Sequence, residues 1–231
     1  MKITTLNLWH GGSRRIDALA EWLVGTGSDA IICSEVHRGP TGDRLRARLA
    51  EAGYRRCFVP EVPPKTNTVA LFAREEAEAV PLALPEGEEH RAVAARVAGV
   101  TLVGVYFAQL KAKRPMFLWL LGRPPELSGP TLVMGDFNTG RHRLDEAGAT
   151  FQCAAEFGRL GEAGWVDAWR LLHGEAREFS WYSTAGNGFR LDHAFVSADL
   201  VERVSAADYD HSTRAGLSDH SALRLDLRST A

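Results

Sequence analysis

A small set of polar residues shares one placement along the chain. Asn7 closes an apolar run at 2–8, Glu35 closes another at 30–34, and Asp136 and Asn138 follow a third at 131–134. Asp192 lies within a late run at 190–197, and Asp219-His220 immediately precede the last one at 221–227. Any one of these alone is an ordinary turn residue. Their recurrence at strand ends points to a site, because loops at one end of a layered fold can gather them. Carboxylates with no accompanying Cys/His cluster suit a hard cation such as Mg²⁺ or Mn²⁺. Mg²⁺ takes one or two carboxylates plus water and substrate phosphate oxygens, so few acidic residues suffice. A histidine beside an aspartate can contact or protonate a phosphate oxygen while another carboxylate holds its tautomer. Together these residue types describe metal-assisted phosphoester hydrolysis.

The elements that must position them follow from periodicity. Residues 2–8 read as a strand running into a loop at His10-Gly11-Gly12. Ile16, Leu19, Ala20 and Leu23 mark one face of a helix over 14–25, with Ser13 as its expected N-cap. Residues 30–34 read as a buried strand and 43–52 as a helix with a charged face. Strands are expected near 54–59, 68–73, 91–97 and 100–107, and the acidic stretch 75–89 reads as a solvated loop or edge. A helix over 113–122 stops before Pro124-Pro125. A strand at 131–134, helices at 150–161 and 165–172, and strands at 179–183, 190–197, 201–208 and 221–227 complete the reading. Strands and helices that do not alternate strictly predict an α+β layered domain, and nothing marks a boundary within 1–231.

GDFN at 135–138, SDH at 218–220, RLDH at 190–193, the Asn of LNLW and the Glu of CSEV together resemble the endonuclease/exonuclease/phosphatase superfamily. That group includes exonuclease III, abasic-site endonucleases and deoxyribonuclease I. The matches run in family order from residue 7 to residue 220. The resemblance implies a four-layered α/β sandwich of two packed, mostly antiparallel sheets flanked by helices. It implies Glu35 as the main metal ligand, Asn7 as its support and Asp219 as an outer metal-site carboxylate. It implies Asp136 as the group that positions or deprotonates the attacking water, with Asn138 helping to hold the nucleophile or the phosphate. His220 would contact the scissile phosphate, oriented by Asp192. Tyr106 and Gln109, in YFAQ, resemble the exonuclease III segment whose Tyr and amide reach the phosphate, and Trp181, in FSW, resembles a tryptophan lining the pocket. Clustered carboxylates should raise one another's pKa until a metal binds, so metal affinity should fall at low pH. The sequence departs from the repair-enzyme pattern at Trp9, at Ala108 and at His193. His193, next to Asp192 on a strand, is expected to face the other way and to be structural.

With 27 basic and 29 acidic residues the chain carries a net charge of −2, so any phosphate-binding surface must be local. Lys111, Lys113 and Arg114 follow the Tyr106 loop, Arg141-His142-Arg143 follow GDFN, and Arg14-Arg15 start the first helix. Lys111, Arg114 and Arg143 are the expected substrate contacts. The three cysteines form no Cys-x-x-Cys pair, which fits a reducing setting. The opening residues lack a signal-peptide core and no run approaches ~18 apolar residues, so a cytoplasmic monomer without a membrane span is expected. The leading reading is a Mg²⁺- or Mn²⁺-dependent phosphodiesterase acting on nucleic acid, DNA rather than RNA. Trp9 and the near-neutral charge favour the alternative, a phosphoesterase for a small molecule or lipid headgroup. A non-catalytic phosphate- or protein-binding relative is the third reading, disfavoured by the intact set of site residues.

Overall fold

A computed structural model describes residues 1–229. Fourteen strands and five α-helices are present among them. The first sheet contains β1 (Lys2–Asn7), β2 (Ala30–Val36), β3 (Arg56–Phe58), β4 (Thr68–Ala73), β13 (Val204–Asp210) and β14 (Ala222–Leu227), in the order β13-β14-β1-β2-β4-β3. The second contains β5 (Ala77–Ala79), β6 (Ala92–Val97), β7 (Val100–Tyr106), β8 (Thr131–Asp136), β9 (Trp165–Asp167) and β12 (Asp192–Ser197), in the order β5-β6-β7-β8-β12-β9. A short ribbon, β10 (Trp181–Tyr182) with β11 (Gly188–Phe189), stands apart. β1–β2 and β7–β8 pair in parallel and the other pairings are antiparallel.

The strands at the middle of each sheet are near-continuous apolar runs because both of their faces are covered. Ile32, Val69, Leu71, Leu102, Met134, Val196, Leu223 and Leu225 form the core between the sheets. A Cβ on Gly104 would lie 2.9 Å from Ile32 Cγ2, so a glycine is what lets the two sheets approach there. Helices α1 (Ile16–Gly25) and α2 (Pro40–Glu51) cover the outer face of the first sheet through Leu19, Leu23, Leu45 and Leu49. On the outer face of the second sheet, α3 (Arg114–Leu121) and α4 (Ala154–Arg159) bury Phe117 and Phe157 against Phe107, Phe137 and Phe195. This is the four-layered sandwich the motifs implied.

Local differences from the sequence reading have identifiable causes. Ser13 does not cap α1: it begins a 3₁₀ turn behind Gly12, whose backbone is left-handed. The segment expected to be helical over 165–172 begins as β9, because Trp165–Asp167 pair with β12. Helix α5 (Ala168–His173) starts only where the Asp167 side chain accepts from Arg170 N. The helix expected over 150–161 shortens to α4, since residues 139–152 form a loop tied down by side chains. The strand expected at 201–208 gives way to a 3₁₀ turn over Ala198–Arg203 before β13 begins. The acidic 75–89 stretch supplies β5 at a sheet edge.

Candidate active site

β1, β2, β7 and β8 end at one rim of the sandwich, and β12 and β14 begin there. Parallel pairing brings Asn7 level with Ser34 and Tyr106 level with Asp136, while antiparallel pairing sets Asp192 opposite Asp136. A register bulge between Ser34 and Val36 ejects Glu35 from the β2–β4 ladder. Its backbone sits at φ +54°, a conformation costly for a residue with a Cβ and typical of functional positions. The motif glycine Gly135 has φ +150°, and a Cβ there would lie 2.1 Å from Val105 O. Only glycine lets β8 run beside β7 to deliver Asp136.

Asn7 ties the carboxylates together. Its Nδ2 donates to Glu35 Oε1 at 3.3 Å and to Asp136 Oδ2 at 3.0 Å, while its Oδ1 accepts from Trp9 N. Glu35 also accepts from Tyr106 Oη at 3.2 Å and from His10 N at 2.6 Å. Asp136 accepts from Asn138 N at 2.8 Å. Asn138, itself left-handed at φ +52°, donates from Nδ2 to Phe107 O and accepts at its carbonyl from Lys113 Nζ. His220 Nδ1 meets Asp192 Oδ2 at 2.8 Å, which leaves Nε2 for the cleft that His220 lines. Trp181 Nε1 donates to Asp219 Oδ2 at 3.0 Å.

Burial dominates the electrostatics. Asp136 is fully enclosed, and burial followed by the Asp192 charge pushes its carboxyl up to about 7. Burial works against a charged His220, but the Asp192 carboxylate outweighs it and holds the imidazolium up to about 10. Burial, then the Glu35 charge, raises the Tyr106 phenol, so it stays a donor. Burial lowers the Lys113 ammonium.

Glu35, Lys113, Asp136, Asn138 and His220 line a cleft of about 320 Å³ that also contains Trp9, Gln109, Leu110, Phe151, Trp181, Phe189 and Asp219, whereas Asn7, Tyr106 and Asp192 stand behind it. Lys111, Arg114 and Arg143 are exposed and do not line it, and Arg114 is held by Glu156 at 2.8 Å. Lys113 is buried, so it is no part of an exposed basic cluster. Arg190 and His193 of RLDH do not line the cleft. Arg190 is fully buried between Asp145 and Asp167; burial works against its charge, but these two carboxylates outweigh it and hold the guanidinium charged. His193 is also fully buried, with Nε2 at 2.8 Å from Thr139 O. Both are structural, as expected for His193.

Sequence reasoning did not find Asn67, whose Nδ2 reaches Tyr106 Oη at 3.4 Å and whose Oδ1 meets His37 Nε2. No spacing signal could have found it, because the contact joins loops of different sheets. Leu191 and Phe189 were also missed as lining groups, although adjacency to Asp192 marks Leu191.

Among the described residues, no group of three or more His, Cys, Asp or Glu stands together as a ready-made cage. The donor set nonetheless fits a hard cation that brings its own waters. Buried Glu35 meets only neutral donors apart from exposed His10, and Asp219 Oδ1 is buried without a hydrogen-bond partner.

The profile of the Endonuclease/Exonuclease/phosphatase family matches residues 4–220, and the chain belongs to that family. It is thereby a phosphoester hydrolase, and the family's nucleases depend on a divalent metal. Solved structures share the fold across 99% of this chain and 100% of theirs. One is a 3′ phosphatase from Neisseria bound to a product DNA hairpin, at TM-score 0.84 and 23% identity. A 3′-5′ exonuclease from Neisseria meningitidis gives the same values. An AP endonuclease from Archaeoglobus fulgidus follows at TM-score 0.83 and 20% identity. No helix among the described residues is long and apolar enough to cross a membrane.

Proposed function

We propose that this chain is a Mg²⁺- or Mn²⁺-dependent nuclease that hydrolyses phosphodiester bonds in DNA. The observation that carries the reading is the buried chain Glu35–Asn7–Asp136, set against the His220–Asp192 pair across one cleft. The likeness to DNA-acting structures of the same fold supports DNA as the substrate. Residues 1–231 are taken as one catalytic domain, acting as a cytoplasmic monomer.

Glu35 and Asp219 would hold the metal, with Asn7 as the amide support. When bound, the cation supplies charge that offsets the negative charge gathering on the phosphoryl oxygens. Asp136, which lines the cleft and has a raised pKa, takes a proton from water as the water oxygen attacks phosphorus. Asn138 holds the Asp136 carboxylate through its backbone N–H. His220, kept protonated by Asp192, donates from Nε2 to a phosphoryl oxygen. Tyr106 directs Glu35, and Gln109 and Trp181 line the substrate side. The P–O bond to the leaving sugar breaks as the new P–O bond forms, and the leaving sugar oxygen takes its proton from solvent water. Lys111, Arg114 and Arg143 would meet strand phosphates beyond the cleft.

The test is a panel of abasic-site duplex, plain single- and double-stranded DNA, RNA, and bis-p-nitrophenyl phosphate. Each is run with Mg²⁺, Mn²⁺ or EDTA, on wild type and His220→Ala. DNA cleavage that EDTA and the substitution both abolish supports the reading. Activity confined to the small diester overturns DNA as the substrate and moves the search to small molecules and lipid headgroups.

A further inference from the structure

The loop after β1 has an unusual backbone. Trp9, His10, Gly11, Gly12 and Ser13 are all left-handed, with φ of +53°, +54°, +70°, +70° and +43°. For residues with a Cβ this conformation costs roughly 1–2 kcal/mol each, so the surroundings must impose it. They do: Trp9 N is held by Asn7 Oδ1, His10 N by Glu35 Oε2 and Gly11 N by Glu35 O. The result is a tryptophan 43% exposed that lines the cleft beside Glu35. Arg15 lies over the Trp9 ring at 4.6 Å and donates to Trp9 O at 2.7 Å, so it braces both the ring and the loop backbone. Leu110 also lines the cleft, is 71% exposed and is left-handed at φ +54°. It comes from the second sheet, Trp9 from the first. Folding normally hides such side chains, and here strained backbone holds both in the open.

We infer that Trp9 is a stacking platform for a nucleobase of the substrate, with Leu110 as the apolar rim facing it. The inference rests on the DNA reading and adds what that reading lacks, a source of base contact independent of sequence. Aromatic faces bind any base in this way, provided one face of the base is free. A base inside a duplex has both faces covered, so the platform selects an unpaired or terminal nucleotide. Two separated apolar residues are too little surface to seat a membrane, which favours a base over lipid.

The experiment measures affinity by anisotropy in EDTA, where no cleavage occurs. One probe is a single-stranded oligonucleotide. The other has the same backbone with base-less tetrahydrofuran residues. Wild type is expected to prefer the base-bearing strand, and Trp9→Ala to lose that preference by about 5- to 150-fold. Trp9→Phe is expected to restore much of it. Equal losses on both strands would show that Trp9 only supports the loop and would overturn the inference. So would a wild type that cleaves DNA without preferring bases, in which case the nuclease reading survives. A wild type inert towards every nucleic acid but active on bis-p-nitrophenyl phosphate removes both. A Trp9→Ala protein that keeps the base preference but no longer binds phosphatidylcholine–phosphatidylserine vesicles assigns the residue to lipid and overturns the inference.

Discussion

Replacing Asp192 by Asn keeps the size and reach of the side chain but removes its charge. Asp192 Oδ2 sits 2.8 Å from His220 Nδ1, and both residues are buried. The Asp192 carboxylate overcomes the cost of burying a charged imidazole and lifts its pKa from 6.5 to about 10. At about 1.4 kcal/mol per pKa unit, that rise favours the imidazolium by on the order of 5 kcal/mol. Without that charge, only the Asp136 and Asp219 carboxylates are left to oppose burial, and the His220 pKa is expected to fall well below that of wild type. The stabilisation has a definite pH window. A group whose folded pKa is raised contributes fully below its unfolded value and loses the contribution as pH rises through the folded value. In metal-free protein, wild type should therefore exceed Asp192→Asn in stability most at pH 6, with the gap closing towards pH 10. Histidine NMR titration and urea unfolding in EDTA read both effects. An imidazole that titrates alike in the two proteins, or a stability gap independent of pH, would refute the argument. The same substitution should lower kcat steeply near neutral pH, since a neutral His220 donates poorly to a phosphoryl oxygen.

Glu35→Gln preserves the side-chain shape and should weaken divalent-metal binding by tenfold or more, read by isothermal titration with Mg²⁺ and Mn²⁺. A wild-type isotherm would place the metal elsewhere. Gly135→Ala must move the β7 backbone, because its Cβ would meet Val105 O at 2.1 Å. A loss of about 3 kcal/mol or more is expected in denaturant unfolding, and an unchanged midpoint would contradict the β7–β8 geometry. Arg190→Met strands Asp167 in the interior, while Asp145 keeps Arg170 and the Arg141 N–H, and should cost about 3–5 kcal/mol. Burial alone would raise the Asp167 pKa, but Arg190 and His193 hold it well below the usual carboxylate range. Its stabilisation in wild type is thus present above the unfolded value of 3.8 and is lost as pH falls below it. The variant should lack that acid-side loss. Lys113→Met should reduce kcat by freeing the Asn138 carbonyl, whereas Lys111→Ala should flatten the salt dependence of DNA binding by about one unit of slope. Equal effects of the two on the salt slope would show that Lys113 contacts the strand directly.

Asn7, Glu35, Asp136, Asn138, Asp192 and His220 were legible in the sequence because each stands at an apolar run, and a strand's end is visible one-dimensionally. The buried strands and the face of α1 were legible for the same reason, since period and apolarity are local properties. Other features belong to the tertiary structure alone. The bulge that turns Glu35 out of its ladder depends on where β4 pairs. The separation of Arg190 and His193 from the cleft depends on Asp145 and Asp167, which lie far off in sequence. Helix 165–172 became β9 and α5 because pairing with β12 outweighed local propensity. Lys113 looked like part of a basic surface, yet packing buries it against Asn138. Which charges face solvent, which carboxylates share a field and which aromatic stays exposed are set by neighbours in space. Trp9 shows the division most sharply: as a residue type it reads as core, and only the left-handed loop behind Asn7 holds it in the open.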